Sequence, residues 1–246
     1  MRSIAADDTR AAEITTSIHA GNLEALERHL REDPALATAR VVDDRGVART
    51  LLHIVADWPG HFPNGAGAVA VLAAAGADVD AAVLHAGPHG SAETSLHWAA
   101  SSDDVAVIDA LLDAGADIEA PGAIFTGGTA MSDAVVFAQW RAARRLLERG
   151  AATTIWQAAA LGLVERVREL CASDPRPTVE TLSNALWHAC RGGQRGSAEM
   201  LLADGAVLNR IGHEEKTPYD VAHESGDAAL VEWLAGLGAR RAAELS

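Results

Sequence analysis

Apolar residues recur along the chain at helical spacing, in paired short runs separated by a turn. The clearest pair begins at Thr94-Ser95-Leu96-His97-Trp98-Ala99-Ala100. Thr94 is placed to cap a short helix, and a turn follows. Val107, Ile108, Leu111 and Leu112 then share one face of a second helix, which Gly115 stops. Near the N-terminus the same alternation is looser. Asp8 is placed to cap a helix with Ala11, Ile14 and Ile18 on its apolar face. Gly21-Asn22 turns the chain, Leu23, Leu26 and Leu30 face inward, and Pro34 ends the run.

The residues equivalent to Leu96 are Ile14, Leu52, Met131, Ile155, Leu186 and Tyr219. Their successive spacings are about 38, 44, 35, 24, 31 and 33 residues, scattered around a period of roughly 33. Two openings, Thr50-Leu51-Leu52-His53-Ile54-Val55-Ala56 and Thr94 to Ala100, together with Lys216-Thr217-Pro218-Tyr219 near the end, resemble the ankyrin-repeat family in its stand-alone, bacterial-type form. The resemblance implies an all-α fold, an ankyrin-repeat solenoid of about seven helix-turn-helix units joined by short hairpin loops. It further implies that Thr50 and Thr94 cap their helices and that His53 and His97 hydrogen-bond toward neighbouring loops. Ser132 stands where a third such histidine is usual, which puts the anchoring of that loop in doubt.

Two units are irregular. Unit two carries about five extra residues around Trp58-Pro59-Gly60-His61-Phe62-Pro63-Asn64-Gly65 and about six around Ala82 to Ala92. Unit five follows unit four after about 24 residues, too few for its finger-like hairpin. The first unit, about 8–38, and the last, about 216–246, have polar outer faces and suit terminal caps. No linker separates domains, so residues 1–246 are expected to form a single solenoid.

In the family this fold implies, one face of each first helix lines a concave groove. Residues two positions after each anchor read Thr16, Ile54, Trp98, Asp133, Gln157, His188 and Val221. An indole, a carboxylate, an amide and an imidazole thus occupy four successive units of a row that is usually apolar. Residues five and six positions after the anchors add Asp57 and Trp58, Ser101 and Ser102, and Phe137. The expected ligand site is therefore Asp57, Trp58, Trp98, Ser101, Ser102, Asp133, Phe137, Gln157 and His188, with His61 and Phe62 of the insertion as a lid. The competing reading leaves these as hydrogen-bonded groove residues without a ligand.

Composition narrows the partners. Lys+Arg number 20 against Asp+Glu 34, a net charge of −14 that repels nucleic acid. The most apolar run, Ala66 to Ala77, falls short of a membrane span, and the first residues lack the apolar core of a signal peptide. A cytoplasmic protein is expected, with Cys171 and Cys190 as free thiols. His85 and His89 lack further zinc ligands, and Arg191-Gly192-Gly193-Gln194-Arg195-Gly196 sits between helices rather than after a strand, so no metal and no cofactor are expected. Arg141, Arg144, Arg145 and Arg149 read as a solvated basic helix face. The expected function is a module that binds a protein segment or a small apolar ligand in its groove. The alternative is a cofactor-independent acid–base enzyme of isomerase, cyclase or lyase type, with Asp133 or His188 transferring the proton. In a third reading, a structural spacer, the contacts move to hairpin tips near Arg45-Gly46, Gly90-Ser91 and Glu214-Glu215.

Overall fold

The computed structural model describes residues 2–85 and 92–245. His89 and the Gly90-Ser91 tip lie outside the described residues. The contacts divide the chain into two compact units, Met1–Ala151 and Ala152–Ser246.

The first unit holds four helical hairpins: α1 (Thr9–His19) with α2 (Leu23–Glu32), α3 (Leu51–Val55) with α4 (Gly65–Ala74), α5 (Ser95–Ser101) with α6 (Val105–Asp113), and α7 (Ala130–Val136) with α8 (Trp140–Glu148). First helices stack on first helices, α1 on α3, α3 on α5 and α5 on α7. Second helices stack likewise, α2 on α4, α4 on α6 and α6 on α8. The second unit repeats the pattern with α9 (Ile155–Ala160) and α10 (Val164–Cys171), α11 (Val179–Arg191) and α12 (Arg195–Ala203), and α13 (Pro218–Ser225) and α14 (Ala228–Gly236). There α9 and α13 flank α11, and α10 packs on α12. Ile14, Leu52, Leu96, Met131 and Leu186 are fully buried between neighbouring helices, while Tyr219 is only partly covered.

Helices this short spend most of their backbone groups as unpaired ends, so their caps matter. Thr50, Thr94, Thr154 and Thr217 each open a capping box, with His53, His97, Gln157 and Asp220 as the reciprocal partner. Second helices are capped differently: Asn22, Asp104 and Asp227 accept from Ala25, Val107 and Leu230 N–H.

The all-α expectation is corrected at one place. Strands β1 (Ser3–Ala5), β2 (Arg40–Val42) and β3 (Ala48–Thr50) form a small sheet in the order β1-β2-β3. β1 runs parallel to β2 with Ile4 opposite Val41, and β2 runs antiparallel to β3 with Arg40 opposite Thr50. Each strand is three residues long, too short for alternation to be read, and the parallel pair joins segments far apart in the chain. The sheet leads directly into α3, because Thr50 ends β3 and caps the helix.

The insertion between α3 and α4 is tied on both sides. His61 N–H donates to Asp104 Oδ2 at 2.7 Å, and its Nε2–H donates to the Ser102 carbonyl at 3.0 Å. On the other side Asn64 Nδ2 donates to the Gly21 carbonyl at 2.8 Å, and Phe62 stacks on His19 with centroids 4.0 Å apart. Gly21 has φ +65°, and a Cβ there would lie 2.3 Å from the Pro63 carbonyl oxygen, so the close approach requires glycine. Among the described residues no helix is long and apolar enough to cross a membrane.

On the basic face of α8, Arg141 and Arg144 are exposed, while Arg145 and Arg149 are paired. Arg145 and Arg149 reach Asp109 of α6 at 2.8 and 2.7 Å, and Arg149 also reaches Asp113 at 2.7 Å. Cys171 and Cys190 are free, and burial pushes their thiols up to about 11 and about 12.

The histidine clips carry the linkage between hairpins. His53 Nδ1 accepts from Thr50 N–H at 3.3 Å, which leaves the proton on Nε2 to donate to the Glu93 carbonyl at 3.1 Å. His97 repeats this with Thr94 N–H at 3.1 Å and the Gly128 carbonyl at 3.2 Å. Burial lowers His53 from 6.5 to about 4. The unfolded imidazole takes up its proton near 6.5 whereas the folded one resists until about 4. Stability present above pH 6.5 is therefore lost as pH falls toward 4, by roughly 3 kcal/mol. His53→Gln, which keeps a cap partner of the kind α9 uses, is expected to lower stability at pH 7 by roughly 1–3 kcal/mol. It should also flatten the fall in melting temperature between pH 7 and 4.5. An unchanged slope in thermal melts counts against the clip.

Candidate functional site

In the first unit the polar residues of the first-helix row meet the loop that precedes α5. Asp133, on α7, is 1% exposed, and Glu93, just before the Thr94 cap, is 8% exposed. No donor group reaches either Asp133 oxygen. Its neighbour is the Glu93 carboxyl, and two carboxyl groups bond to each other only through a shared proton. Burial first, then the Glu93 charge and that shared bond, raise Asp133 from 3.8 to about 8, so it is an uncharged acid at neutral pH. Glu93 also lies close enough to favour the protonated form of His97, although burial dominates and lowers that imidazole overall. Trp98 is half-buried and meets His53 edge-on at 4.9 Å.

The other predicted first-unit residues separate into two groups. Trp58 is 81% exposed and Phe137 41% exposed, and Phe137 contacts Phe125, itself 69% exposed, at 5.9 Å. These aromatics are free to meet another molecule. Ser101 donates its hydroxyl to the Trp98 carbonyl at 2.9 Å, and its own carbonyl accepts from Gln139 at 2.8 Å. Ser102 is buried and offers His61 its carbonyl. Both serines are thus occupied in holding α5 and its neighbours. His61 and Phe62, expected as a lid, are fixed as a buttress between the first and third hairpins.

Asp57 is drawn toward a different place. It pairs with Arg49 Nη1 at 2.8 Å and lines a hollow of about 360 Å³ beside α1, α3 and the sheet. Thr16 and Ile54 of the predicted row line the same hollow, together with His19 and Arg49.

Gln157 and His188 belong to the second unit. Gln157 Oε1 accepts from Thr154 N–H at 2.8 Å, so this amide is used as a helix cap. His188 is buried among Trp156 at 4.7 Å, Trp187 at 4.9 Å and His213 at 5.6 Å. Its Nδ1 has no partner, and burial, then the nearby His213 and Arg191 charges, lower it to about 3. It is a neutral imidazole in an aromatic nest, and Trp156 and Trp187 form two of its walls.

Sequence reasoning missed Glu93, His19 and Arg49. Arg49 and Glu93 share a signal: each is a charged residue immediately before a capping threonine, where the extended chain enters a first helix. His19 carried no such mark, because its neighbours come from the insertion and the sheet.

The ankyrin-repeat family model matches residues 92–120, the stretch that contains Glu93, the Thr94–His97 cap and the α5–α6 hairpin. The match identifies one ankyrin repeat within the chain, and the same hairpin geometry recurs in both units. No curated protein matches it.

The carboxyl pair has a measurable consequence. Unfolded, Asp133 ionises near 3.8; folded, it keeps its proton to about 8. Folding thus loses stability as pH rises through that window. Asp133→Asn removes the ionisable group at nearly constant shape. At pH 8.5 it should melt at least about 3 °C above the wild type, the shift that roughly 1 kcal/mol produces in a chain of this size. The two should converge near pH 4. Parallel curves in a pH series of thermal melts refute the pairing.

Proposed function

We propose that the chain is a protein-binding module whose first unit receives a partner segment along the face carrying Trp58, Trp98 and Phe137. Ankyrin repeats generally mediate protein binding, and the observation that carries the reading here is the exposure of large aromatic side chains on that unit. Trp58 at 81%, Phe125 at 69% and Phe137 at 41% stay in solvent although the same hairpins bury nearly every other large apolar residue. Phe125 and Phe137 meet in the open, and exposed apolar surface of this kind marks an interaction site in which aromatic anchors dominate the energetics. The four hairpins of the first unit and the three of the second are read as successive ankyrin units.

Acid–base chemistry on a small apolar substrate is the second reading, and one observation favours it: Asp133 is held protonated at neutral pH. The protein-binding reading is better supported, because the Asp133 oxygens are sealed from solvent whereas the aromatics are open.

Photo-crosslinking tests the proposal. A benzoylphenylalanine placed at Phe125 or at Phe137 is expected to capture one partner protein that the same group at exposed Leu237 does not. Trp98→Ala with Phe137→Ala should weaken binding of that partner at least ten-fold. Identical products from all three positions, or none from any, overturn the assignment.

A further inference from the structure

The buried carboxyl pair is connected to the residues that carry the exposed aromatic rings. Asp133 lies one turn before Phe137, and its carbonyl accepts the Phe137 N–H at 2.9 Å to close α7. Phe137 in turn meets Phe125 of the preceding hairpin at 5.9 Å. The two members of the pair are held unequally. The main chain of Glu93 is pinned, because its carbonyl accepts from His53 Nε2 at 3.1 Å and from Val83 N–H at 2.8 Å. Helix α7 is seven residues long. Among the described first helices of its unit it alone is opened by neither an aspartate cap nor a capping box. A force between the two carboxyl groups therefore moves α7 before it moves Glu93.

That force depends on one proton. With it the pair carries at most a single negative charge. Without it two carboxylates face each other in a place where Asp133 is 1% exposed and no donor reaches its oxygens. Nothing nearby offsets the second charge. The one titratable side chain of α5 is His97, which is buried and committed to Thr94 and the Gly128 carbonyl. On α8, Arg141 and Arg144 are exposed, and Arg145 and Glu148 pair with each other. In the preceding hairpin Asp117 and Glu119 are exposed, and Glu93 is the only charge acting on Asp133. We propose that the Asp133–Glu93 pair is a proton-operated latch on the aromatic face. While the proton is held, α7 stays seated against the Glu93 segment and presents Phe137 beside Phe125. When the proton passes to solvent, repulsion displaces α7 and parts the two rings. The latch rests on the protein-binding reading for its consequence, which is a partner held at neutral pH and released at alkaline pH.

The movement itself is testable without a partner. The chain has three phenylalanines, so replacing all of them with 4-fluorophenylalanine gives three fluorine NMR signals, for Phe62, Phe125 and Phe137. Single Phe→Tyr variants assign them. In a titration of the full chain from about pH 6.5 to 9.5, the Phe125 and Phe137 signals should shift together with a midpoint near 8. Phe62, stacked on His19, should not share that midpoint. Asp133→Asn should flatten both curves. Glu93→Gln, which removes the opposing charge, should lower the midpoint by at least about one pH unit. Circular dichroism shows which variants fold, and either one alone is sufficient to read the result. The proposal is overturned if the wild-type signals stay flat through pH 8, or if a folded variant titrates like the wild type. It is equally overturned if all three signals move together, which is general loosening. Absence of crosslinks at Phe125 and Phe137 would remove the docking reading and leave this titration as it stands.

Discussion

The fold depends on how a very short helix disposes of its ends. A helix of five to seven residues, such as α3, α5 or α9, has almost as many unpaired backbone groups as paired ones. It exists only because a threonine and a partner three residues on close its first turn. In α3 and α5 that partner is histidine, and its second nitrogen reaches a carbonyl of the next loop. One side chain thereby satisfies a helix end and a loop that is otherwise hard to hydrate. Gln157 performs the first task in α9, and Asp220 in α13, where Thr217 also donates to the Arg240 carbonyl.

The same economy explains where polar groups are left under strain. Extended segments entering first helices bring Arg49 and Glu93 to the inner side of the hairpins, next to groups on neighbouring helices. Arg49 meets Asp57 and is largely satisfied. Glu93 meets Asp133, and the two carboxyl groups bond to each other only with a proton between them. One hairpin thus carries a favourable pair and the next a costly one, through the same register. A buried acid pair of this kind disfavours folding at high pH and contributes nothing to stability that a neutral amide would not.

The side chains of the candidate site divide along the same line between exposed and fixed. Trp58, Phe125 and Phe137 sit at helix ends and in loops, where nothing covers them, and they offer apolar area at low entropic cost. Ser101 and Gln157 lie in the repeating register, but their side chains are committed to backbone partners, and His61 of the insertion is held by the Ser102 carbonyl and the Asp104 carboxylate.

The helical hairpins, their caps and their buried anchors were legible in the amino-acid sequence, because each depends on residues within a few positions of one another. Thr94, His97, Leu96 and Leu111 announce a capped hairpin by spacing alone, and the spacing of Leu52 from Leu96 announces its stacking. Asp133 was also visible as an anomaly in an apolar row. The sheet, the Glu93 partner of Asp133, and the meeting of His19 with Phe62 and of Arg49 with Asp57 depend on which segments the stacking brings together. Local periodicity carries no record of such encounters. Whether a polar side chain in a given register faces a ligand or is consumed by its own backbone was therefore decided only by tertiary structure, since the available partners, not the residue type, determine where its hydrogen bonds go.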